Sequence, residues 1–142
     1  MRGYLLILLV ALLVSPAMAD YPDTDEQDSM LIAARGQINS GDVAGAIETL
    51  ERLVLLRPDD ADVLSVLGYA HRLLGEIAPS RRYYNRALEA DPDHRAALSY
   101  AGILEWTSGN RALARRYRAR LATLCPEGCA SLALLDDVID AH

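Results

Sequence analysis

The two cysteines are the residues whose spacing points most directly to chemistry. Cys125 and Cys129 flank a Pro-Glu-Gly turn near the end of this 142-residue chain. Such a turn can bring two Cα atoms within the roughly 4.4–6.8 Å that a disulfide requires. The spacing favours a structural disulfide; two unbonded thiols, or redox or metal chemistry at the pair, are the alternatives. A thiol oxidoreductase more often has a C-x-x-C motif near a strand, and this turn lacks that motif.

Other reactive side chains do not form a recognisable catalytic pattern. His71, His94 and His142 lack metal-ligand spacing such as H-E-x-x-H. No Ser-His-Asp order, paired-carboxylate pocket or glycine-rich phosphate loop stands out. The sequence therefore predicts no catalytic residue, no metal site and no cofactor.

Five arginines fall within ten residues near the end of the third repeat described below. They are Arg111, Arg115, Arg116, Arg118 and Arg120. We interpret them as a solvated helix face whose aliphatic stems cover apolar surface. The alternative is a binding face for an anionic cell-envelope surface or an acidic partner. The net charge of −6 argues against a nucleic-acid partner, because phosphate attraction dominates nucleic-acid affinity.

The first 19 residues are typical of an export signal. A positive start at Arg2 precedes an apolar run of 11 residues, and small residues follow around a cleavage point between Ala19 and Asp20. The run is shorter than the roughly 20 residues that span a bilayer. We predict a signal peptide at residues 1–19 and a periplasmic or secreted protein without stable membrane insertion; an uncleaved N-terminal anchor is the alternative.

An acidic segment follows the predicted cleavage point. Residues 20–28 carry five acidic side chains and are typical of a solvated lead-in. Thr24 and Gln27 have capping-box spacing, which predicts that the first helix begins near Asp25.

Glycines and prolines recur at a fixed interval along the rest of the chain. The glycines are Gly41, Gly75 and Gly109, and the prolines are Pro58, Pro92 and Pro126, each series advancing by 34 residues. Glycine suits the left-handed residue after a helix, and proline does not continue a helix. Apolar residues at helical spacing fill the segments between them. The pattern predicts one helical hairpin repeated three times, with N-caps at Asp42, at Asp59 or Asp60, and at Asp93.

The repeat resembles the tetratricopeptide repeat. The best match is residues 61–94, where Leu67-Gly68, Gly75, Tyr84, Ala87-Leu88 and Pro92 stand at the signature positions of that family. Counting by 34 places the other units at residues 27–60 and 95–128, and a capping helix at residues 129–142. The resemblance implies an all-α solenoid of three hairpins plus a C-terminal cap, wound as a right-handed superhelix.

The large aromatic residue expected late in each second helix is absent from two units. Leu50 stands at this position in the first unit and Arg118 in the third. Tyr117, beside Arg118, is a candidate to supply the missing bulk.

The resemblance also implies a concave groove that binds peptide segments of partner proteins. Its positions here include Arg35, Asn39, Tyr69, Arg72, Ser99 and Trp106. Tyr69, Arg72 and Trp106 are the strongest candidates, since Tyr, Arg and Trp are enriched at binding hot spots. Alternatively, Trp106 packs against the capping helix. Arg35 and Arg72 are more simply solvated or paired with Asp137 and Asp140.

A chaperone-tail binder is not favoured within this family. Such proteins hold a terminal carboxylate with Lys and Asn, whereas this chain contains no Lys and has Tyr69 and Ile103 at expected Asn positions.

Taken together, the repeats and the signal segment predict a non-enzymatic protein-interaction scaffold of the bacterial periplasm that binds a protein or peptide partner. The alternative function is a thiol redox or metal-handling protein that uses Cys125 and Cys129.

Overall fold

Residues 22–141 are described by a computed structural model and form seven α-helices. The predicted signal peptide, residues 1–19, and its cleavage site between Ala19 and Asp20 lie outside this range. The helices are α1 (Thr24–Ser40), α2 (Val43–Leu56), α3 (Ala61–Leu73), α4 (Ile77–Ala90), α5 (Arg95–Thr107), α6 (Arg111–Leu124) and α7 (Ala130–Asp140).

The first six helices form three antiparallel hairpins that stack in chain order. The hairpins are α1 with α2, α3 with α4, and α5 with α6. Each second helix packs on the next hairpin, and the first helices α1, α3 and α5 lie side by side. The predicted solenoid of helical hairpins is confirmed. We call the face formed by α1, α3, α5 and α7 the inner face, and that formed by α2, α4 and α6 the outer face.

The glycines lie at the turn inside each hairpin. Gly41, Gly75 and Gly109 have φ angles of 88°, 75° and 88°. A side chain is strained at these angles, so the 34-residue interval reflects one backbone turn used three times.

Two of the predicted N-caps are confirmed by their hydrogen bonds. The Asp42 carboxylate accepts from the Gly45 amide at 3.1 Å, and the Asp60 carboxylate accepts from the Val63 amide at 3.1 Å. Each bond satisfies one of the amides that a helix start leaves without a partner.

Two other predicted caps are displaced by one residue. Asp23, rather than Thr24, caps α1, because its carboxylate accepts from the Glu26 amide at 2.9 Å. The helix begins at Thr24, one residue before the predicted start near Asp25, so the second half of the acidic segment is helical.

The third hairpin is capped by His94 rather than Asp93. His94 stands 34 residues after Asp60, and its Nδ1 accepts from the Ala97 amide at 3.1 Å. The Asp93 carboxylate instead accepts from the Arg120 guanidinium, with the Arg120 Nε at 2.7 Å. Repeat register, rather than residue type, decides which residue is the cap.

A polar pair of side chains recurs across each hairpin turn at the same interval. The pairs are Gln37–Asp42, His71–Glu76 and Glu105–Asn110, at 3.2, 2.6 and 3.1 Å. The residue types change from unit to unit while a hydrogen bond is kept. This bond ties the last turn of each first helix to the start of its partner.

The core is built around small residues on the first helices. Ala34, Gly68 and Gly102 occupy equivalent positions, and the side chain of Ala34 is fully buried. A Cβ atom on Gly68 would lie 2.7 Å from the Tyr84 ring, and one on Gly102 would lie 2.6 Å from Leu135 Cδ2. A side chain at either position would therefore require its neighbour to move, and the Tyr84 ring and Ser80 backbone beside Gly68 leave less room for this than the end of the Leu135 side chain beside Gly102.

The last helix completes the third unit. Arg118, at the position of Tyr84 one repeat earlier, points to α7 and donates to the Asp136 carboxylate. Leu135 of α7 fills the space beside Gly102 instead. Tyr117 packs against the neighbouring clusters around Leu121 and Leu104, so the bulk beside Gly102 comes from Leu135 rather than from Tyr117.

A disulfide lies at the turn before α7. Cys125 and Cys129 are bonded, with Cα atoms 5.8 Å apart, which is within the usual range for a disulfide. Cys125 is buried at the end of α6, and Cys129 immediately precedes α7. The bond thus links the capping helix to the third hairpin.

Candidate functional site

A depression lies on the inner face between the three first helices. Its volume is about 180 Å³. The lining residues are Arg35, Ile38 and Asn39 of α1, Val66 and Tyr69 of α3, and Tyr100 of α5. One small site therefore draws on all three repeat units.

Two stacked tyrosines form the centre of this site. The rings of Tyr69 and Tyr100 have centroids 5.1 Å apart and planes inclined by 22°. The Arg72 guanidinium lies 5.2 Å from the centroid of the Tyr69 ring. Aromatic rings with a cation stacked on them present a broad and rigid contact surface. Tyr100 is not among the predicted groove residues, although it follows the predicted groove residue Ser99 in the sequence.

A second depression continues along the inner face toward the capping helix. Its volume is about 140 Å³, and α5 and α7 form its walls, with Tyr100, Ser131 and Leu134 among the lining residues. Tyr100 lines both depressions, so they are neighbours on the inner face. We refer to these two depressions together as the inner groove.

The predicted groove residues of α1 lie at the surface. Arg35 and Asn39 are exposed, and Arg35 donates to the Asp62 carboxylate at 3.4 Å. Arg35 is therefore solvated, as one of the two alternatives predicted, and its carboxylate partner is Asp62 on the adjacent helix rather than Asp137 or Asp140.

Ser99 and Trp106 are buried rather than exposed in the groove. Ser99 has no exposed surface and lies beneath the floor of the second depression. Trp106 is 8% exposed, with the guanidinium carbons of Arg111 and Arg115 at 5.0 and 5.6 Å from its ring centre. A partner in the inner groove would meet neither side chain directly in this conformation.

The arginine cluster of α6 is largely engaged within the fold. Arg111 and Arg115 cover Trp106, while Arg118 and Arg120 bind the carboxylates of Asp136 and Asp93. Arg116 is exposed and lines a depression of about 480 Å³ between α4 and α6 on the outer face. An equivalent depression of about 530 Å³ lies between α2 and α4.

An ion pair with a buried carboxylate joins the second and third hairpins. Arg81 Nε donates to Glu105 Oε1 at 2.6 Å, and the Glu105 side chain is only 5% exposed. The bond to this carboxylate raises the pKa of Arg81 above its usual value. The pair joins α4 to α5 across the interface between these two hairpins.

Burial sets the ionisation of the tyrosines behind the groove. Desolvation raises the pKa of Tyr84 to about 12, although the nearby charge of Arg72 opposes the shift. Desolvation and the charge of Glu105 likewise raise the pKa of Tyr117. The pKa shifts mean that both hydroxyls keep their protons to a higher pH than a solvent-exposed tyrosine does.

Residues 22–141 contain no cluster of three or more His, Cys, Asp or Glu side chains that could hold a metal ion. Over the same range, none of the helices has the length and apolar character needed to cross a bilayer. Cys125 and Cys129 are bonded to each other, so neither carries a thiol in this structure.

The family model for the tetratricopeptide repeat matches residues 33–94 and 74–128, together more than half of the sequence. The chain belongs to the tetratricopeptide repeat family. Its hairpins are those of a protein-interaction scaffold. No curated protein sequence matches this chain significantly.

Several solved structures share the fold. The type III secretion translocator chaperone SycD of Yersinia enterocolitica has a TM-score of 0.74 at 19% identity, over 88% of each chain. PcrH, in complex with the chaperone-binding region of PopB, has a TM-score of 0.72 at 18% identity, over 84% of this chain and 96% of PcrH. The first repeat domain of Spaghetti (RPAP3), bound to an HSP90 peptide, has a TM-score of 0.72 at 16% identity, over 84% of this chain and 94% of that one. At these identities the likeness establishes the fold alone.

Proposed function

We propose that this protein is a non-enzymatic adaptor of the bacterial periplasm that holds a peptide segment of another envelope protein in the inner groove. The observation that carries the proposal is the stack of Tyr69 on Tyr100, at the junction of the two depressions. Tyrosine supplies a large contact area with few rotatable bonds, and it is enriched at binding hot spots.

The structural relatives support a peptide as the ligand. Spaghetti (RPAP3) is bound to an HSP90 peptide and PcrH to the chaperone-binding region of PopB. The departures at Tyr69 and Ile103, and the absence of Lys, argue against a terminal carboxylate as the recognised group. We therefore propose an internal segment of the partner chain.

The proposed location rests on the sequence of residues 1–19 and on the disulfide. Disulfides persist mainly in oxidising compartments, and the periplasm is one of them. N-terminal sequencing of the protein from a periplasmic fraction tests the location. We expect the mature chain to start at Asp20; a chain that retains Met1 in the membrane fraction would contradict the location without affecting the groove.

Site-specific photocrosslinking in the cell envelope tests the groove itself. A photoreactive residue at Asn39 or Tyr69 should capture a partner protein, because both side chains line the inner groove. The matched control is Leu55, which is 84% exposed on the outer face. Capture from Leu55, with none from Asn39 or Tyr69, would refute the proposed binding surface.

A further inference from the structure

Three large apolar side chains are exposed at the tip of the second hairpin, where α3 turns into α4. Leu73, Leu74 and Ile77 are 45%, 48% and 38% exposed, and we call these three residues the second tip. They line none of the depressions described above. The equivalent residues are Asn39, Ser40 and Val43 in the first hairpin, and Thr107, Ser108 and Arg111 in the third. The apolar tip therefore belongs to this hairpin alone and is not a feature of the repeat, and clustered exposed apolar side chains mark a contact surface.

Arginines concentrate on the outer helices beside the second tip. Helices α4 and α6 carry eight arginines and a single acidic residue, Glu89, although the whole chain has a net charge of −6. The corresponding helix of the first hairpin, α2, carries one arginine and two glutamates. The acidic residues lie largely elsewhere, with three in α1 and three in α7 on the inner face. The outer face is therefore basic at its second and third hairpins.

Four exposed arginines of these two helices have no carboxylate partner. Arg82, Arg111, Arg115 and Arg116 take part in no ion pair within residues 22–141, and we call them the tip arginines. The Trp106 ring beneath Arg111 and Arg115 leaves their charge in place. All four lie in the first two turns of α4 or α6, near helix N-termini whose dipoles are also positive. The fold thus gathers positive charge here that it does not neutralise.

Hydrogen bonds place the second tip beside the start of α6. Arg81, about one turn after Ile77 in α4, donates to Glu105 Oε1 at 2.6 Å. Asn110, the residue before α6, donates to Glu105 Oε2 at 3.1 Å. The second tip and the tip arginines therefore share one edge of the solenoid, the edge formed by the hairpin turns.

We propose that this edge binds the surface of an anionic phospholipid bilayer, with the second tip among the acyl chains and the tip arginines at the phosphate groups. An apolar anchor flanked by cations matches a bilayer, because its anionic headgroups lie directly above its hydrocarbon. An acidic protein would instead have to offer a cavity for the exposed leucines. The net charge of −6 describes the whole chain, whereas attraction to a bilayer depends on charges within about 10 Å of its surface.

The inference goes beyond the proposed function, because neither the second tip nor the tip arginines line the inner groove. Co-sedimentation of the protein with vesicles tests it. The vesicles contain phosphatidylcholine alone or mixed with an equal amount of phosphatidylglycerol. Wild type should bind the anionic vesicles at least about tenfold more tightly than the neutral ones, and added salt should weaken the binding. Equal binding to both kinds of vesicle, or binding to neither, would overturn the inference.

One pair of variants tests the apolar anchor. Leu73→Asn with Leu74→Ser gives the second tip the residue types that the first hairpin has at these positions, so the turn should still form. Leu55→Ser is the control, because Leu55 is 84% exposed on α2. The tip variant should bind anionic vesicles about tenfold more weakly or worse, and Leu55→Ser should bind like wild type. Equal binding by the two variants would overturn the role of the tip.

A second pair of variants tests the charges. Arg82→Gln with Arg116→Gln removes two tip arginines that cover no aromatic ring, and Arg52→Gln on α2 is the control. The double variant should bind anionic vesicles about tenfold more weakly, and Arg52→Gln should bind like wild type. An equal loss in both would contradict the role of the tip arginines. Wild type and all variants share residues 1–19, so any lipid binding by that segment is the same in each.

Trp106 provides a measurement that needs no variant. It is the only Trp of the chain, and it lies near the end of α5 beneath Arg111 and Arg115. Phosphatidylglycerol with brominated acyl chains should quench its fluorescence, because this quenching requires close approach. Binding without quenching would place the bilayer against another face and overturn the inference. Capture of an acidic protein or a second copy by a photoreactive residue at Leu74, without vesicle binding, would assign the second tip to that partner instead.

Discussion

The side chain of Leu135 lies directly against Gly102, so that a Cβ atom on Gly102 would stand 2.6 Å from Leu135 Cδ2. One repeat earlier, Tyr84 occupies the equivalent space beside Gly68. In the third hairpin Arg118 stands at the position of Tyr84 and binds Asp136 instead of packing beside Gly102. The capping helix therefore supplies the core side chain at this place.

These close approaches predict a graded response to Gly→Ala substitutions. Gly68→Ala should lower the free energy of unfolding by about 1–3 kcal/mol, because the methyl group meets the Tyr84 ring and the Ser80 carbonyl oxygen. Gly102→Ala should lower the free energy of unfolding by a smaller amount, because the terminal methyl groups of Leu135 can move away. Gly36→Ala is the control: it has open space and should stabilise α1 by about 0.5–1 kcal/mol. Equilibrium urea unfolding measures all three, and equal effects would contradict this account of the packing.

The ion pair between the second and third hairpins should matter more than the surface pairs. Arg81→Met leaves the Glu105 carboxylate buried without its charged partner. We expect a loss of about 2–4 kcal/mol in the free energy of unfolding, reduced from the fully buried case because Arg81 is itself partly exposed. Arg118→Met, which removes an exposed partner of Asp136, should cost less than about 1 kcal/mol. Similar losses of unfolding free energy for the two variants would show that burial of Glu105 does not make the Arg81 pair more stabilising than an exposed pair.

Alkaline pH should destabilise the fold through Tyr84. Its pKa is about 12 in the folded chain and about 10 when unfolded, so the unfolded state loses the proton first. Its contribution is complete below pH 10 and is lost as the pH rises through 12, to a limit of about 3 kcal/mol. Tyr84→Phe should flatten this part of the pH profile of the free energy of unfolding. An unchanged slope in Tyr84→Phe would assign the effect to other groups, such as Tyr117.

Opening the disulfide should loosen the capping helix selectively. Replacing Cys125 and Cys129 by Ser should lower the free energy of unfolding by about 2 kcal/mol, the loop-closure value for so short a loop. Hydrogen exchange should accelerate in α7, which the bond links to α6, while α1 and α2 remain protected. Uniform acceleration along the chain would contradict a local role for the bond.

The fold was largely predictable because each repeat uses the same turns. Gly41, Gly75 and Gly109 have positive φ angles that few other residues adopt, so the positions of the turns can be predicted from the sequence. The residue type of Asp93 predicts a cap, but the repeat register places His94 there.

The site was less predictable because its contacts join different repeats. The stacking of Tyr69 on Tyr100 depends on how the second and third hairpins are oriented, and no local pattern encodes that angle. Trp106 stands at a family groove position, but Arg111 and Arg115 of the next helix cover its ring. Comparing the repeats position by position would have revealed the polar pairs across the turns, since their spacing is constant.

Binding of the partner segment captured by photocrosslinking tests the inner groove most directly. Its affinity should be measured by fluorescence anisotropy for wild type, Tyr69→Ala and Leu55→Ala. Tyr69→Ala should bind at least about tenfold more weakly, because it removes one ring of the stack, and Leu55→Ala should bind like wild type. Unchanged binding by Tyr69→Ala, together with weakened binding by Leu55→Ala, would place the ligand on the outer face and contradict the account.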